Sequence, residues 1–418
     1  MTIETDDSKI ISFVQNGQDI KFIIKSVWVD WMKMKNGEEI KKKFCVVCVK
    51  NSSGLEVIHP LSDFILSNWS GRNYNTQRKH AVNIVAFLNY LLEYRRNLNI
   101  KSLTELEFKQ GNYYLNELTK KCLDRGTVVS YERTLTHFYL YLSRKECTKH
   151  ISEKNFVKKT NHRGGFYYES PFNVEYPSRR ISDIEHYFPP QYLPLLFEIA
   201  ISVAQPIVLG LYLQIFGGLR VGEVVNIKRS EIKRKVANGD ILIKVRTNNL
   251  RTDLNDTAGT NEVKTQRSQK AFQIYDWFDT LYKDHIAIYK DSDGSGALFV
   301  NRDGKAMTDR SYRQYFDKLK REFIHSLRED FGVEGKILAN HLSAMKWSTH
   351  IGRGTFTNLV AEHADNPFEI AESRGDKDLA IALTYLSRTG RYRKKLETQL
   401  QSMHENYIPR LVENQKDQ

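Results

Sequence analysis

The apolar residues of this 418-residue chain change their spacing along its length, and that change limits the fold more than any single residue does. Over residues 9–60 apolar and polar positions alternate, with turn signals at Asn16-Gly17, Asn36-Gly37 and Ser53-Gly54. Strand side chains point to opposite faces with a period of two, so this stretch predicts a small sheet of hairpins. From Asn75 to Ser143 the spacing becomes helical. Ala81, Ile84, Val85, Leu88, Leu91 and Leu92 form one apolar stripe, Tyr113, Leu115, Leu118 and Cys122 a second, and Tyr131, Leu135, Phe138 and Leu142 a third. Residues 147–190 are rich in Lys, Arg, Gly, Pro and Tyr with little periodicity, and read as a basic inter-domain linker. Beyond Pro190 the pattern is mostly helical again, with one β-containing insertion near residues 240–275. The expected architecture is mainly α with small β elements. It comprises a β-rich module over residues 1–64, a helical domain over 65–146, the linker over 147–188 and a mixed α/β domain over 189–418.

Lysine and arginine outnumber aspartate and glutamate by 63 to 50, a net charge of +13. A charged fraction of 27% beside 40% apolar residues excludes wholesale disorder, and the cationic excess is what a polyanion partner attracts, most often nucleic acid. Candidate phosphate contacts are Arg72, Arg78, Lys79 and Arg133 in the helical part, and Lys158, Lys159, Arg163, Arg179 and Arg180 in the linker. Lys33, Lys35, Lys41, Lys42 and Lys43 either track a phosphate backbone or form a solvated face. Cys45 and Cys48 have a zinc-like spacing, but an offset of three on a strand sends them to opposite faces, and Cys122 and Cys147 supply no second pair. No metal and no cofactor are expected. The N-terminal residues lack a signal-peptide pattern, and the longest apolar run, Pro206 to Phe216, is too short to cross a bilayer. The expected setting is cytoplasmic and DNA-associated, with no membrane partner.

Two segments carry chemistry. In Phe216-Gly217-Gly218-Leu219-Arg220-Val221-Gly222-Glu223, Arg220 follows an apolar helix and a glycine turn, and Glu223 stands three residues on, where it can orient the guanidinium. An ordinary helix-start Arg–Glu pair has the same local form. In His350-Ile351-Gly352-Arg353-Gly354-Thr355-Phe356-Thr357, His350 and Arg353 share one helix face, and Tyr385 follows 32 residues after Arg353. Attack on a phosphodiester builds negative charge on the non-bridging oxygens. Arginine holds that charge well, because its fork donates two hydrogen bonds and stays protonated. Histidine moves protons near neutral pH, and a phenol in a cationic pocket can act as nucleophile. Many of the 22 tyrosines must simply pack.

The order and spacing of these boxes resemble the tyrosine recombinases, the phage-integrase family, over roughly residues 65–410. The segment Gly126 to Arg133 is similar to a helix start in the family's core-binding DNA domain. The resemblance implies that Tyr385 attacks the scissile phosphate to form a 3′-phosphotyrosyl link while Arg220 and Arg353 hold the transition-state charge and His350 acts as acid/base partner. Tyr392 is the fallback nucleophile. It also implies a hairpin lysine that protonates the leaving 5′ oxygen: Lys264, followed by Ala271-Phe272-Gln273-Ile274, fits best, with Lys270 the alternative. One position departs from the pattern. Nine residues before the tyrosine, where the family has histidine or tryptophan, stands Asp376, and an ionised carboxylate cannot donate to phosphate. The implied function is a site-specific recombinase or integrase of a mobile element, working on double-stranded DNA as a homotetramer over two sites, with accessory proteins as further partners. The segment Lys395 to Leu411 would dock on a neighbouring protomer or on its own domain. A type IB topoisomerase, telomere resolution, or a DNA-binding accessory protein impaired through Asp376 are the rival outcomes of the same site.

Overall fold

The computed structural model describes residues 20–33, 39–161, 164–178, 188–234, 236, 240–251, 253–254, 262–364 and 366–375. Arg163, Arg179, Arg180, Asp376, Tyr385, Tyr392 and the segment 395–411 lie outside them, as does Lys35. The chain divides into two units, Met1–Ser182 with Leu254–Gly259, and Asp183–Asp253 with Thr260–Gln418. The described residues are mainly helical with small sheets, as the spacing predicts.

The first unit opens with an antiparallel sheet of β1 (Lys21–Lys33), β2 (Glu39–Lys50) and β3 (Glu56–Ile58). Four helices follow: α1 (Ser62–Trp69), α2 (Tyr74–Glu93), α3 (Phe108–Lys120) and α4 (Arg125–Arg144). Phe22, Cys45 and Val47 share one core with Phe64, Ile84, Leu88, Leu115, Leu135 and Phe138, so sheet and helices bury apolar area together. Polar side chains complete the join. Asn89 of α2 accepts from the Phe22 N–H and donates to its carbonyl, both at 2.9 Å, while Gln77 and Ser62 accept from the Cys45 and Val47 N–H groups. Burial pushes the Cys45 thiol up to about 12, so it behaves as a small apolar group.

Two of the predicted stripes shift. On α3 the buried aromatic is Tyr114, while Tyr113 is exposed, because the inward line runs through Gly111, Tyr114, Leu115 and Leu118. The helix ends at Lys120, and Cys122 is exposed in a left-handed backbone conformation beyond it, outside the stripe. On α4, Leu135, Phe138 and Leu142 are buried and Tyr131 only partly so. Beyond α4 come the short strands β4 (Lys158–Thr160) and β5 (Phe166–Tyr168), and Phe156 and Phe172 join this unit's core.

The second unit is built around a helix with no polar face. After α5 (Leu193–Val203), every residue of α6 (Val208–Gly217) is buried, as expected of an apolar helix at the centre of a core. Around it stand α7 (Val221–Val224), the three-stranded sheet of β6 (Ile232–Lys233), β7 (Ile241–Val245) and β8 (Arg267–Ala271), then α8 (Trp277–Ile288) and α9 (Asp309–Asp330). The unit continues with α10 (Gly332–Ala344), α11 (His350–His363) and α12 (Pro367–Arg374). Strand β8 begins at Arg267, so only Ala271 of the stretch Ala271-Phe272-Gln273-Ile274 that the sequence set in the hairpin lies in a strand. The one polar side chain central to α6, Gln214, accepts from Tyr312 at 2.9 Å and donates to the Thr349 carbonyl, which keeps a buried amide satisfied.

Helix α6 ends at Gly218, whose φ of +65° is left-handed and whose N–H caps the Gln214 carbonyl. A Cβ added there would overlap the buried Phe356 ring of α11. Gly218→Ala is therefore expected to lower stability by about 2–4 kcal/mol, strain and overpacking together. Urea unfolding checks this, and wild-type stability would show that the Phe356 ring gives way.

Candidate active site

The turn after α6 sets the first guanidinium. Gly218 reverses the chain, and Arg220 then sits at the N-terminal end of α7, where its own N–H donates to Glu223 Oε2 at 2.9 Å and its Nη1 to Glu223 Oε1 at 3.1 Å. The i, i+3 pairing expected from the sequence is present, but it is half of the arrangement. Arg267, first residue of β8, closes on the same carboxylate with both terminal nitrogens, Nη1 to Oε1 at 2.7 Å and Nη2 to Oε2 at 3.1 Å. Glu223 is thus held between two arginines in a buried position. Burial alone would push its carboxyl up, but the Arg267 pair, with the Arg220 N–H and charge, outweighs this and holds it below the usual carboxylate range.

Arg353 reaches the same turn from α11. It is buried, its Nη1 donates to the Gly218 carbonyl two residues before Arg220, and its Nη2 donates to the Arg374 carbonyl at 3.1 Å. Gly352 beside it allows close approach: an added Cβ would meet Gln214 of α6 at 2.8 Å. Three chain segments far apart in sequence therefore meet at one turn. His350 is exposed in the first turn of α11, one turn from Arg353 on the same helix.

Strand β8 also grips the end of α12. Gln269 donates to the Ser373 carbonyl at 2.6 Å and accepts from Arg267 Nε at 2.8 Å. Gly375, with φ of +64°, ends α12 against the Arg267 side chain, where an added Cβ would overlap Cδ and Nε. Asp376, the divergent position, is the next residue in the sequence. Lys264 is exposed on the bend before β8, whereas Lys270 is exposed on the strand, on the face opposite the inward-facing Gln269 and Ala271. Arg267 and Gln269 were not singled out by the sequence reading. The signal was present in the period of two, because Arg267, Gln269 and Ala271 alternate with Ser268 and Lys270, but it becomes specific only once the strand's register with β7 is known.

The candidate phosphate contacts of the first unit lie on or beside α2 and α4. Arg72, Lys79 and Arg133 are exposed and Arg78 is half-buried. The buried His80, stacked on Trp69 at 3.8 Å, is pushed down to about 3 by burial first and then by the charges of His137, Lys79 and Arg133. Lys79 and Arg133 therefore stand close to one another around a neutral imidazole. Other basic residues are engaged within the unit: Lys42 donates to the Ser70 carbonyl at 2.8 Å, Lys43 lies over Tyr74, and Lys159 pairs with Glu169. No group of metal-binding side chains occurs among the described residues, and no helix among them is long and apolar enough to cross a membrane.

No protein-family model matches the sequence, and no curated protein does either. Solved structures do. The XerH site-specific recombinase bound to its difH substrate is similar at 14% identity and a TM-score of 0.50, over 76% of this chain and 78% of that one. The integrase of the Tn1549 transposon, in complex with circular intermediate DNA, is similar at 15% identity and a TM-score of 0.51, over 79% of this chain and 96% of that one. The likeness is one of fold: the chain has the tyrosine-recombinase fold, with the small N-terminal sheet β1–β3 included among its elements.

Proposed function

We propose that this protein is a site-specific DNA recombinase or integrase that cuts and rejoins double-stranded DNA through a 3′-phosphotyrosyl intermediate. The observation that carries the reading is the convergence of Arg220, Glu223, Arg267 and Arg353 on the turn after α6. Three guanidiniums around a single carboxylate leave an excess of positive charge at one place, which suits the charge that develops on a phosphodiester under attack.

In this reading the Tyr385 oxygen attacks phosphorus and loses its proton, with His350 as acid/base partner. The bond from phosphorus to the 5′ oxygen breaks, and that oxygen takes a proton from Lys264, the hairpin lysine placed ahead of β8. A 5′ hydroxyl of a partner strand then attacks the phosphotyrosyl link and releases the phenol. The bond energy is conserved in the covalent link, so no ATP is consumed, and arginine charge serves where other phosphoryl-transfer enzymes use a metal. Arg72, Arg78, Lys79 and Arg133 would hold the DNA backbone from the first unit, together with Arg179 and Arg180. The remaining elements of the reading are a homotetramer on two sites and a mobile element as the source of the substrate.

The test is a duplex nicked near the cleavage position, so that the released end diffuses away and the intermediate is trapped. The expected result is a protein–DNA adduct that survives a denaturing gel. No adduct over a range of sequences would sink the reading and favour a DNA-binding accessory protein, which Asp376 at the donor position makes the relevant rival. Relaxation of supercoiled DNA without exchange between two sites would instead indicate a type IB topoisomerase.

A further inference from the structure

We infer that Arg267 is a positioning residue of this reaction: it takes up the charge of Glu223, so that Arg220 keeps its own for the phosphate. The inference rests on the phosphotyrosyl reading above and deepens it. Arg220 and Glu223 considered alone form a neutral pair, and a neutral pair is a poor clamp for an anion. The carboxylate, however, is shared unequally. Arg267 engages both of its oxygens, at 2.7 and 3.1 Å, whereas the Arg220 side chain makes a single bond at 3.1 Å. Exposure follows the same division: the Arg267 side chain is 10% exposed and that of Glu223 1%, while that of Arg220 is 26% exposed. The more buried arginine is thus the counter-ion, and the more open one faces outward with the cluster's excess charge. A carboxylate between two guanidiniums orients both without cancelling both.

Arg267 is itself held tightly enough for this task. Its Nε donates to Gln269 Oε1 at 2.8 Å and its Nη1 also donates to the Thr265 carbonyl at 3.2 Å. Its aliphatic portion lies under Gly375, where no side chain fits. The same side chain therefore links the charge on Arg220 to the turn at which α12 ends, immediately before the segment that carries Tyr385.

The experiment is single-turnover adduct formation on the nicked duplex with the full chain, alongside duplex affinity and thermal unfolding of each variant. Arg267→Gln should slow adduct formation by about tenfold to a hundredfold, as removal of a charge-assisted pair at a transition-state clamp does, with affinity changed by less than about threefold. Arg267→Lys, which restores the charge without the bidentate geometry, should fall in between. The decisive variant is the double substitution Glu223→Gln with Arg267→Gln. If Arg267 acts by neutralising Glu223, removing the carboxylate should recover at least about fivefold of the rate lost in Arg267→Gln. If Arg267 merely fills space under Gly375, the double variant will be no faster, and the inference is overturned. Wild-type rates in Arg267→Gln would overturn it as well. Should Arg267→Gln fail to fold, the comparison of Arg267→Lys with Glu223→Gln/Arg267→Lys reads the same coupling. A wild-type protein that forms no adduct sinks the functional reading itself, and this inference with it.

Discussion

Tyr385→Phe should bind DNA as tightly as the wild type and form no covalent adduct. The substitution removes a single oxygen and leaves the ring, so packing and duplex contacts stay nearly intact while the nucleophile is gone. Loss of a nucleophile lowers a covalent step by at least about a thousandfold, below what a denaturing gel detects. The measurement is paired: an adduct assay on the nicked duplex and a gel-shift titration on the same preparation. Equal binding with no adduct assigns the attack to Tyr385. An adduct that persists would move the nucleophile to another residue, Tyr392 first, seven residues further along.

Arg353→Ala is expected to fail in two separable ways. Its guanidinium would stabilise the transition state, and removing one such donor costs about 3 kcal/mol, a hundredfold or more in rate. The same side chain satisfies the Gly218 and Arg374 carbonyls inside the second unit. Leaving buried acceptors without a donor costs about 1–3 kcal/mol each, so stability should fall by roughly 2–5 kcal/mol. Urea unfolding and single-turnover adduct formation read the two losses independently. Arg353→Lys keeps a cation but cannot bridge two carbonyls with a planar fork, so it should recover part of the stability and little of the rate. An Arg353→Ala variant as stable as the wild type would show that the two carbonyl bonds contribute nothing to the fold.

These two residues mark how differently parts of the site can be read. His350 and Arg353, and Arg220 and Glu223, are legible as pairs because three residues of helix return to the same face. Their separate meaning is local. That Arg353 and Arg220 belong to one site follows in the sequence only from the resemblance to a family, whereas in the structure it follows from a hydrogen bond between residues 135 apart. Arg267 shows the other side. A basic residue in a stretch containing Lys264 and Lys270 carries no distinguishing mark, and the reading weighed the two lysines and passed over the arginine between them. The strand register and the approach of Glu223 single it out.

By itself the sequence determined what depends on near neighbours: the change from alternating to helical spacing, the fully apolar helix that had to become a core, the left-handed turn at Gly218, and the Arg220–Glu223 and His350–Arg353 pairs. These follow from backbone geometry, in which a period of two or of 3.6 residues decides which side chains share a face. Only the tertiary structure decided which faces meet. It buried Tyr114 in place of Tyr113, joined the N-terminal sheet to the helices through Phe22, Cys45 and Val47, and brought Arg267 and Arg353 to the turn after α6. Those choices are made by close packing between segments distant in the chain, and a buried carboxylate such as Glu223 persists only where that packing delivers a counter-ion to it.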